Sequence, residues 1–256
     1  MSGTAAGTQL TLLDAAGPLD EQALLRRYAY PDGTRTWVRA NMIASLDGAA
    51  TSAGRSGALG GPGDRLVFAT LRHLADVVLV GAATVRAEDY GGARQDRAGR
   101  RARLARGQAE VPPIAVVTRT AALDPDARLF GDTAVAPLIL TCRAAAGSAR
   151  SRFAGLAEVL DASGADPEHV DCAVALRLLA ERGLRRVLTE GGPTLLGQLA
   201  AAGLLDELCL TVAPVLAGGD GPRILAGSLP PARLRLRHTL TDTEGYLYLR
   251  YAAGRD

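Results

Sequence analysis

Two stretches of the chain share one order of residue types, and that order limits the fold more than anything else in the sequence. Asp76-Val77-Val78-Leu79-Val80-Gly81 is an apolar run closed by a glycine, followed by the small residues Ala82-Ala83-Thr84 and a helix-like segment to Glu88. Arg186-Val187-Leu188-Thr189-Glu190-Gly191-Gly192-Pro193-Thr194-Leu195 repeats the order. An apolar run without polar alternation suits a parallel strand covered on both faces. Glycine opens backbone angles closed to other residues and lets a ligand approach the main chain. Pro193 suits the first turn of a helix, where its missing N–H is not needed. The N–H groups of such a first turn lack partners within the helix and form a site for an anion. Two such turns on neighbouring strands would wall one dinucleotide site. A plain strand-to-helix connection has the same local pattern, so either stretch alone leaves both readings open.

The remaining apolar runs extend the scheme. Trp37–Ile43, Ile114–Thr118, Leu138–Thr141, 157–160 and Leu208–Leu216 read as strands, with helices over 62–74, 170–182 and 193–202 between them. Leu66, Val67, Thr70, Leu71 and Leu74 can share one helical face. Residues 234–240 and 246–251 alternate apolar and polar side chains around Asp242-Thr243-Glu244-Gly245, the pattern of an antiparallel hairpin. The expected architecture is an α/β domain over residues 36–256, with a mostly parallel central sheet, helices on both faces and an antiparallel C-terminal hairpin. Residues 1–35 are expected to form an N-terminal extension that braces the surface.

Composition excludes several chemistries. Every basic residue is arginine, so a lysine Schiff base, a pyridoxal phosphate anchor and a Walker-type phosphate loop are all ruled out. Cys142, Cys172 and Cys209 are far apart, and so are His73, His169 and His238, so neither a zinc site nor a disulfide framework is expected. No Gly-x-Ser-x-Gly elbow follows a strand. A net charge of +2 makes no case for nucleic acid, no apolar run reaches membrane-spanning length, and Met1–Gln9 lacks a secretory pattern. The expectation is a cytoplasmic protein with a small-molecule substrate, no nucleic acid partner and no membrane. Hydride transfer fits what remains, because a nicotinamide brings the chemistry and the protein supplies phosphate cradles, a flat pocket and a positioned polar group.

Three further segments belong to the candidate site. Residues 49–63 form a long run of small residues, suited to a backbone that closes over a flat ligand. Asp64 is either a carboxylate complementing the N-terminal dipole of its helix or one aimed into a cleft. Residues 91–109 are a polar, arginine-rich insertion, expected either as a solvated face or mobile loop or as a help in binding a phosphorylated substrate, with Arg94, nearest the cleft, as the candidate.

The motifs Ala44-Ser45-Leu46-Asp47-Gly48, Ser56, Arg72, Gly81-Ala82-Ala83-Thr84-Val85-Arg86-Ala87-Glu88 and Thr189-Glu190-Gly191-Gly192-Pro193-Thr194-Leu195 resemble the reductase domain of bacterial riboflavin biosynthesis, whose fold is similar to dihydrofolate reductase. The likeness runs from about Trp37 to Tyr251. It implies NADPH-dependent reduction of the ribosyl group of a phosphoribosylamino-pyrimidine to ribityl, in a standalone form without the deaminase domain. By the resemblance, Ala44, Ala58, Gly81, Thr84, Glu88, Gly191, Gly192, Pro193, Thr194 and Leu195 would contact NADPH. Ser56, Arg72, Arg94 and Glu190 would face the substrate, and Asp64 and Glu190 are the candidate catalytic acids. Arg86 and Arg119 are candidates for a 2′-phosphate clamp. One departure matters. Asp64-Arg65-Leu66-Val67-Phe68 resembles the Asp-x-x-x-Phe of dihydrofolate reductases, with the acid on the pteridine's amino group and the aromatic ring against the ligand. That leaves a pteridine such as dihydrofolate open as the substrate. A protein that binds the nucleotide without reducing anything is a third reading. Family members look dimeric, and the Leu208–Leu216 strand is the expected place for pairing across a two-fold axis.

Overall fold

The computed structural model describes residues 17–254. The proposed tail over 1–16 lies outside the described residues. In chain order the elements are α1 (Glu21–Arg27), β1 (Trp37–Ser45), α2 (Pro62–Leu74), β2 (Val77–Gly81), α3 (Ala82–Ala87), α4 (Arg97–Ala105), β3 (Ile114–Val117), α5 (Arg128–Gly131), β4 (Leu138–Thr141), α6 (Arg143–Arg152), β5 (Glu158–Asp161), α7 (Cys172–Glu181), β6 (Arg186–Thr189), α8 (Pro193–Ala201), β7 (Glu207–Ala213), β8 (Leu234–Thr241) and β9 (Leu247–Ala253).

The strands form one sheet in the order β5-β4-β3-β2-β6-β1-β7-β9-β8. Every pairing from β5 through β7 is parallel, and β9 pairs antiparallel with both β7 and β8. The α/β architecture is therefore as the sequence implies. Alternation along β2 shows why its run is apolar throughout. Val78 and Val80 face a core shared with Val67 and Leu71 of α2 and Ala149 of α6, while Val77 and Leu79 face a second core with Leu176 and Leu179 of α7 and Leu199 of α8. Both faces are dry, so no position on the strand can be polar. On α1, Asp20 caps the helix by accepting from the Ala23 N–H at 2.6 Å, and Leu24 and Tyr28 join the first core.

Three expectations need correction. On α2, Val67, Thr70, Leu71 and Leu74 are buried but Leu66 is exposed, because it projects from the side of the helix away from the sheet. The arginine-rich insertion is not all loop: it carries α4, on which Arg97 and Arg101 keep the expected solvated face while Arg103 is fully buried. The Arg103 guanidinium donates to the carbonyls of His73 at 2.8 Å and Ala75 at 2.7 Å, satisfying acceptors at the C-terminal end of α2 that have no helical partner. The strand proposed for pairing across a two-fold axis is an interior one: β7 lies between β1 and β9, so both its edges are already hydrogen-bonded. A homodimer remains an expectation without that interface.

Candidate functional site

The site grows from the pairing of β2 with β6. Their register sets Val77 beside Val187 and Leu79 beside Thr189, which brings Gly81 at the end of β2 against Gly191 just past the end of β6. The two glycine bends then touch. The Gly81 N–H donates to the Gly191 carbonyl at 2.8 Å. A Cβ on Gly192 would fall 2.5 Å from Thr84 Oγ1, so a side chain there would force the Thr84 hydroxyl to move. Gly191 has a φ of +85°, which favours glycine in its own right. Neither α3 nor α8 has a side chain capping its first turn.

A cleft of about 630 Å³ opens beside these bends. Its walls come from β1 (Asn41, Met42, Ile43), the long loop (Ala50, Thr51, Gly54, Ser56, Gly57), α2 (Asp64, Phe68, Arg72), the first bend and α3 (Ala83, Thr84, Ala87, Glu88), residues 89–94, Arg128, Asp132, Pro222, and the second bend (Glu190, Gly192, Pro193). Ser56, Asp64, Phe68, Arg72, Thr84, Glu88, Arg94, Glu190, Gly192 and Pro193 are thus brought together as expected. The other residues named from sequence sit differently. Ala44 and Leu195 are buried in the fold, Ala58 and Thr194 are exposed, and Gly81 and Gly191 form the joint between the bends behind the cleft wall. Arg86 donates to the Ala122 carbonyl at 2.9 Å, and Arg119 is exposed, so neither lines the cleft.

Several candidates touch one another rather than waiting separately for ligands. Arg72 and Glu190 form a two-pronged ion pair, Nε to Oε1 and Nη2 to Oε2, each at 2.6 Å. Burial alone would weaken the Arg72 cation, but the Glu190 carboxylate overcomes it and holds the guanidinium protonated well above its ordinary range. Tyr90 Oη donates to Glu190 Oε2 at 2.7 Å. Burial, then the charge on Glu190, pushes the Tyr90 hydroxyl far above 10, so it stays a donor. The Arg72 guanidinium also lies over the Phe68 ring, 4.2 Å from its centre. Ser56 offers both its N–H and its hydroxyl to Glu88 Oε1, at 2.7 and 2.8 Å, tying the loop to the end of α3. Asp64 takes part in a side-chain hydrogen bond with Thr211 of β7; burial raises its carboxyl pKa above 3.8, partly offset by that bond and by Arg65.

The sequence reading missed Tyr90, Asn41, Arg128 and Asp132. Tyr90 stands beside Gly91-Gly92, a signal that was there to be read. Asn41 looks like any strand residue, yet its Oδ1 is buried without a protein partner on the cleft wall. Arg128 and Asp132 come from a segment that only the chain's path brings near. Among the described residues no cluster of three or more His, Cys, Asp or Glu is placed to hold a metal, and no helix is long and apolar enough to cross a membrane.

Parallel strands ending at two glycine bends beside one cleft define an α/β protein with its candidate site at the carboxyl ends of the strands. The chain belongs to the RibD C-terminal domain family, whose model matches residues 36–248. This is the family the motifs resemble. The chain is 27% identical over 214 residues to the 2,5-diamino-6-ribosylamino-4(3H)-pyrimidinone 5′-phosphate reductase of Archaeoglobus fulgidus, covering 83% of this chain and 96% of that one. It is 33% identical over 207 residues to the riboflavin biosynthesis protein RibD of Mycobacterium tuberculosis, covering 80% of this chain but only 48% of the relative, so it spans about half that protein's length. A crystal structure of a pyrimidine reductase-like protein from Corynebacterium diphtheriae superposes with a TM-score of 0.76 at 27% identity, covering 86% of this chain and 93% of that one.

Proposed function

We propose that this chain is an NADPH-dependent reductase of a phosphoribosylamino-pyrimidine, converting the ribosyl group to ribityl. The observation that carries the reading is the joint between the bends at 81–84 and 190–194, beside a cleft wide enough for a cofactor and a substrate. The residues present fit a pyridine dinucleotide. Gly192 leaves open backbone where any side chain would meet Thr84, and the uncapped start of α8 offers N–H groups to a phosphate. Asn41 Oδ1 is an acceptor awaiting a donor. When bound, NADPH supplies the hydride.

The chain's own residues supply the rest. Gly192, Pro193, Thr84 and Glu88 hold the cofactor end, and Ser56 fixes Glu88. Glu190, oriented by Arg72 and Tyr90, faces the substrate. Ribosyl becomes ribityl by gaining a hydride at C1′ and a proton at O4′ as the bond between them breaks. Asp64, a carboxyl on the cleft wall whose pKa burial raises, is the group we assign to deliver that proton. A carboxyl whose folded pKa is raised favours folding only at low pH, and that contribution is lost as pH rises past 3.8. Asp64→Asn therefore raises the melting temperature near neutral pH while slowing turnover; a variant with unchanged turnover removes the role. The decisive assay is NADPH oxidation by 5-amino-6-(5-phosphoribosylamino)uracil and by its diamino precursor. No calorimetric response to NADPH ends the proposal.

One observation favours a second reading: Asp64 and Phe68 both line the cleft, as a pteridine site would require. NADPH oxidation by dihydrofolate, lost in Asp64→Asn, would establish it. Tight NADPH binding with no turnover of either substrate would leave a nucleotide-binding protein. A cytoplasmic location and a homodimer complete the proposal.

A further inference from the structure

The connection between β7 and β8, residues 214–233, contains no helix or strand of its own. Structureless connections of that length are uncommon in a compact domain unless they serve the site. The reaction proposed above uses none of its residues. Its path nevertheless runs along the cofactor half of the cleft, and it is fastened at three places.

The first fastening is beside the turn that follows β1. The Leu46 N–H donates to the Val215 carbonyl at 2.9 Å, and the Asp47 carboxylate accepts from the N–H groups of Ala217 and Gly218 at 3.1 and 2.7 Å. The second is on the long loop, where the Ala50 N–H donates to the Pro222 carbonyl at 2.7 Å. The third is on α8, where the Ala226 N–H donates to the Pro193 carbonyl at 3.0 Å. Ala50, Pro222 and Pro193 all line the cleft. The segment therefore ties the loop on one wall to the second glycine bend on the other.

The contact with α8 accounts for a residue that helix propensity does not. Gly197 lies inside α8, one turn beyond Pro193, where alanine would favour the helix more. A Cβ on Gly197 would stand 1.9 Å from the Ala226 carbonyl oxygen and 3.1 Å from its carbon. Those atoms are backbone, so no change of rotamer relieves the clash. Glycine at 197 makes the groove in which residue 226 is seated.

We propose that residues 214–233 form a strap that retains a pyridine dinucleotide in the cleft, closed when residue 226 sits on Gly197 and lifted from that seat when the cofactor enters or leaves. The inference rests on the cofactor reading above. The seat is on the helix whose first turn has no side-chain cap, so a closed strap and a phosphate at that turn steady the same element. The two ends of the strap differ in strength. Bonds from the Ser45 hydroxyl and from the Ala217 and Gly218 N–H groups hold the Asp47 pKa down to about 2, so this fastening is charge-assisted at any working pH. The seat has only neutral backbone partners, so it is the end that opens.

Proteolysis of the full chain with trypsin tests the strap, because Arg223 lies exposed in the middle of it. Saturating NADPH should slow cleavage after Arg223 about tenfold or more, with cleavage after Arg35, at the other end of β1, unchanged. Gly197→Ala should speed cleavage after Arg223 in the absence of ligand. It should also speed NADPH release, followed by stopped-flow fluorescence, about 3- to 10-fold, the worth of one seat hydrogen bond. Asp47→Ala loosens the strap from its other end without touching α8, and should act in the same direction. An alanine that met nothing would raise the melting temperature, so a raised melting temperature with unchanged cleavage in Gly197→Ala overturns the seat. Faster cleavage in both variants with NADPH release unchanged overturns retention. NADPH binding that leaves cleavage after Arg223 unslowed overturns the strap and leaves the cofactor reading standing. No fluorescence response to NADPH in the wild type overturns the cofactor reading, and the strap's ligand with it.

Discussion

The two ends of the cleft use the same chemistry, arginine against carboxylate, in opposite ways. At the inner end, Arg72 is bound to Glu190 by two bonds of 2.6 Å, braced by Tyr90 and stacked on Phe68. At the outer end, Arg94 and Arg128 share Asp132 in solvent. Water decides the difference. A buried charge must keep its partner or lose its hydration uncompensated, so the inner pair is fixed machinery. An exposed charge exchanges partners at little cost, so the outer pair is available to a ligand.

The sharpest way to break this comparison is Glu190→Ala. It leaves Arg72 charged and buried without its anion, and unfolding in urea should show a loss of about 3–5 kcal/mol, with turnover abolished. A loss below about 1 kcal/mol would mean that the inner end is as adaptable as the outer. Tyr90→Phe probes the same end more gently. It removes one donor from Glu190 while Arg72 keeps its grip, and should cost about 1–2 kcal/mol, with a fall in kcat measured at saturating substrate. Smallest is Arg94→Ala. Its stability should lie within about 0.5 kcal/mol of wild type, although substrate affinity drops. A stability loss as large as that of Tyr90→Phe would erase the contrast.

Much of the cleft was legible in the chain. The bends at Gly81 and Gly191-Gly192 announce themselves because backbone conformation and helix starts are local, set by residues within one turn. Asp64 and Arg72 could be placed near one face of one helix, but their site roles, and Phe68 altogether, were legible only through the family resemblance. Two further features were misread because their neighbours are distant in sequence. Arg103 sits in a strongly basic stretch that reads as solvated, but a carbonyl-rich helix end waits for it in the fold. The Leu208–Leu216 run is apolar enough for an interface, yet its part up to Ala213 is apolar because it lies between β1 and β9.

The sequence by itself determined the alternation of strand and helix, the two glycine bends and the absence of lysine chemistry. These follow from side-chain periodicity and from the backbone freedom of glycine, which act over a few residues. Only the tertiary structure decided who touches whom. Arg72 met Glu190 and Arg128 met Arg94 across Asp132 because the sheet order places segments far apart in the chain side by side, and burial then settled which pair is permanent.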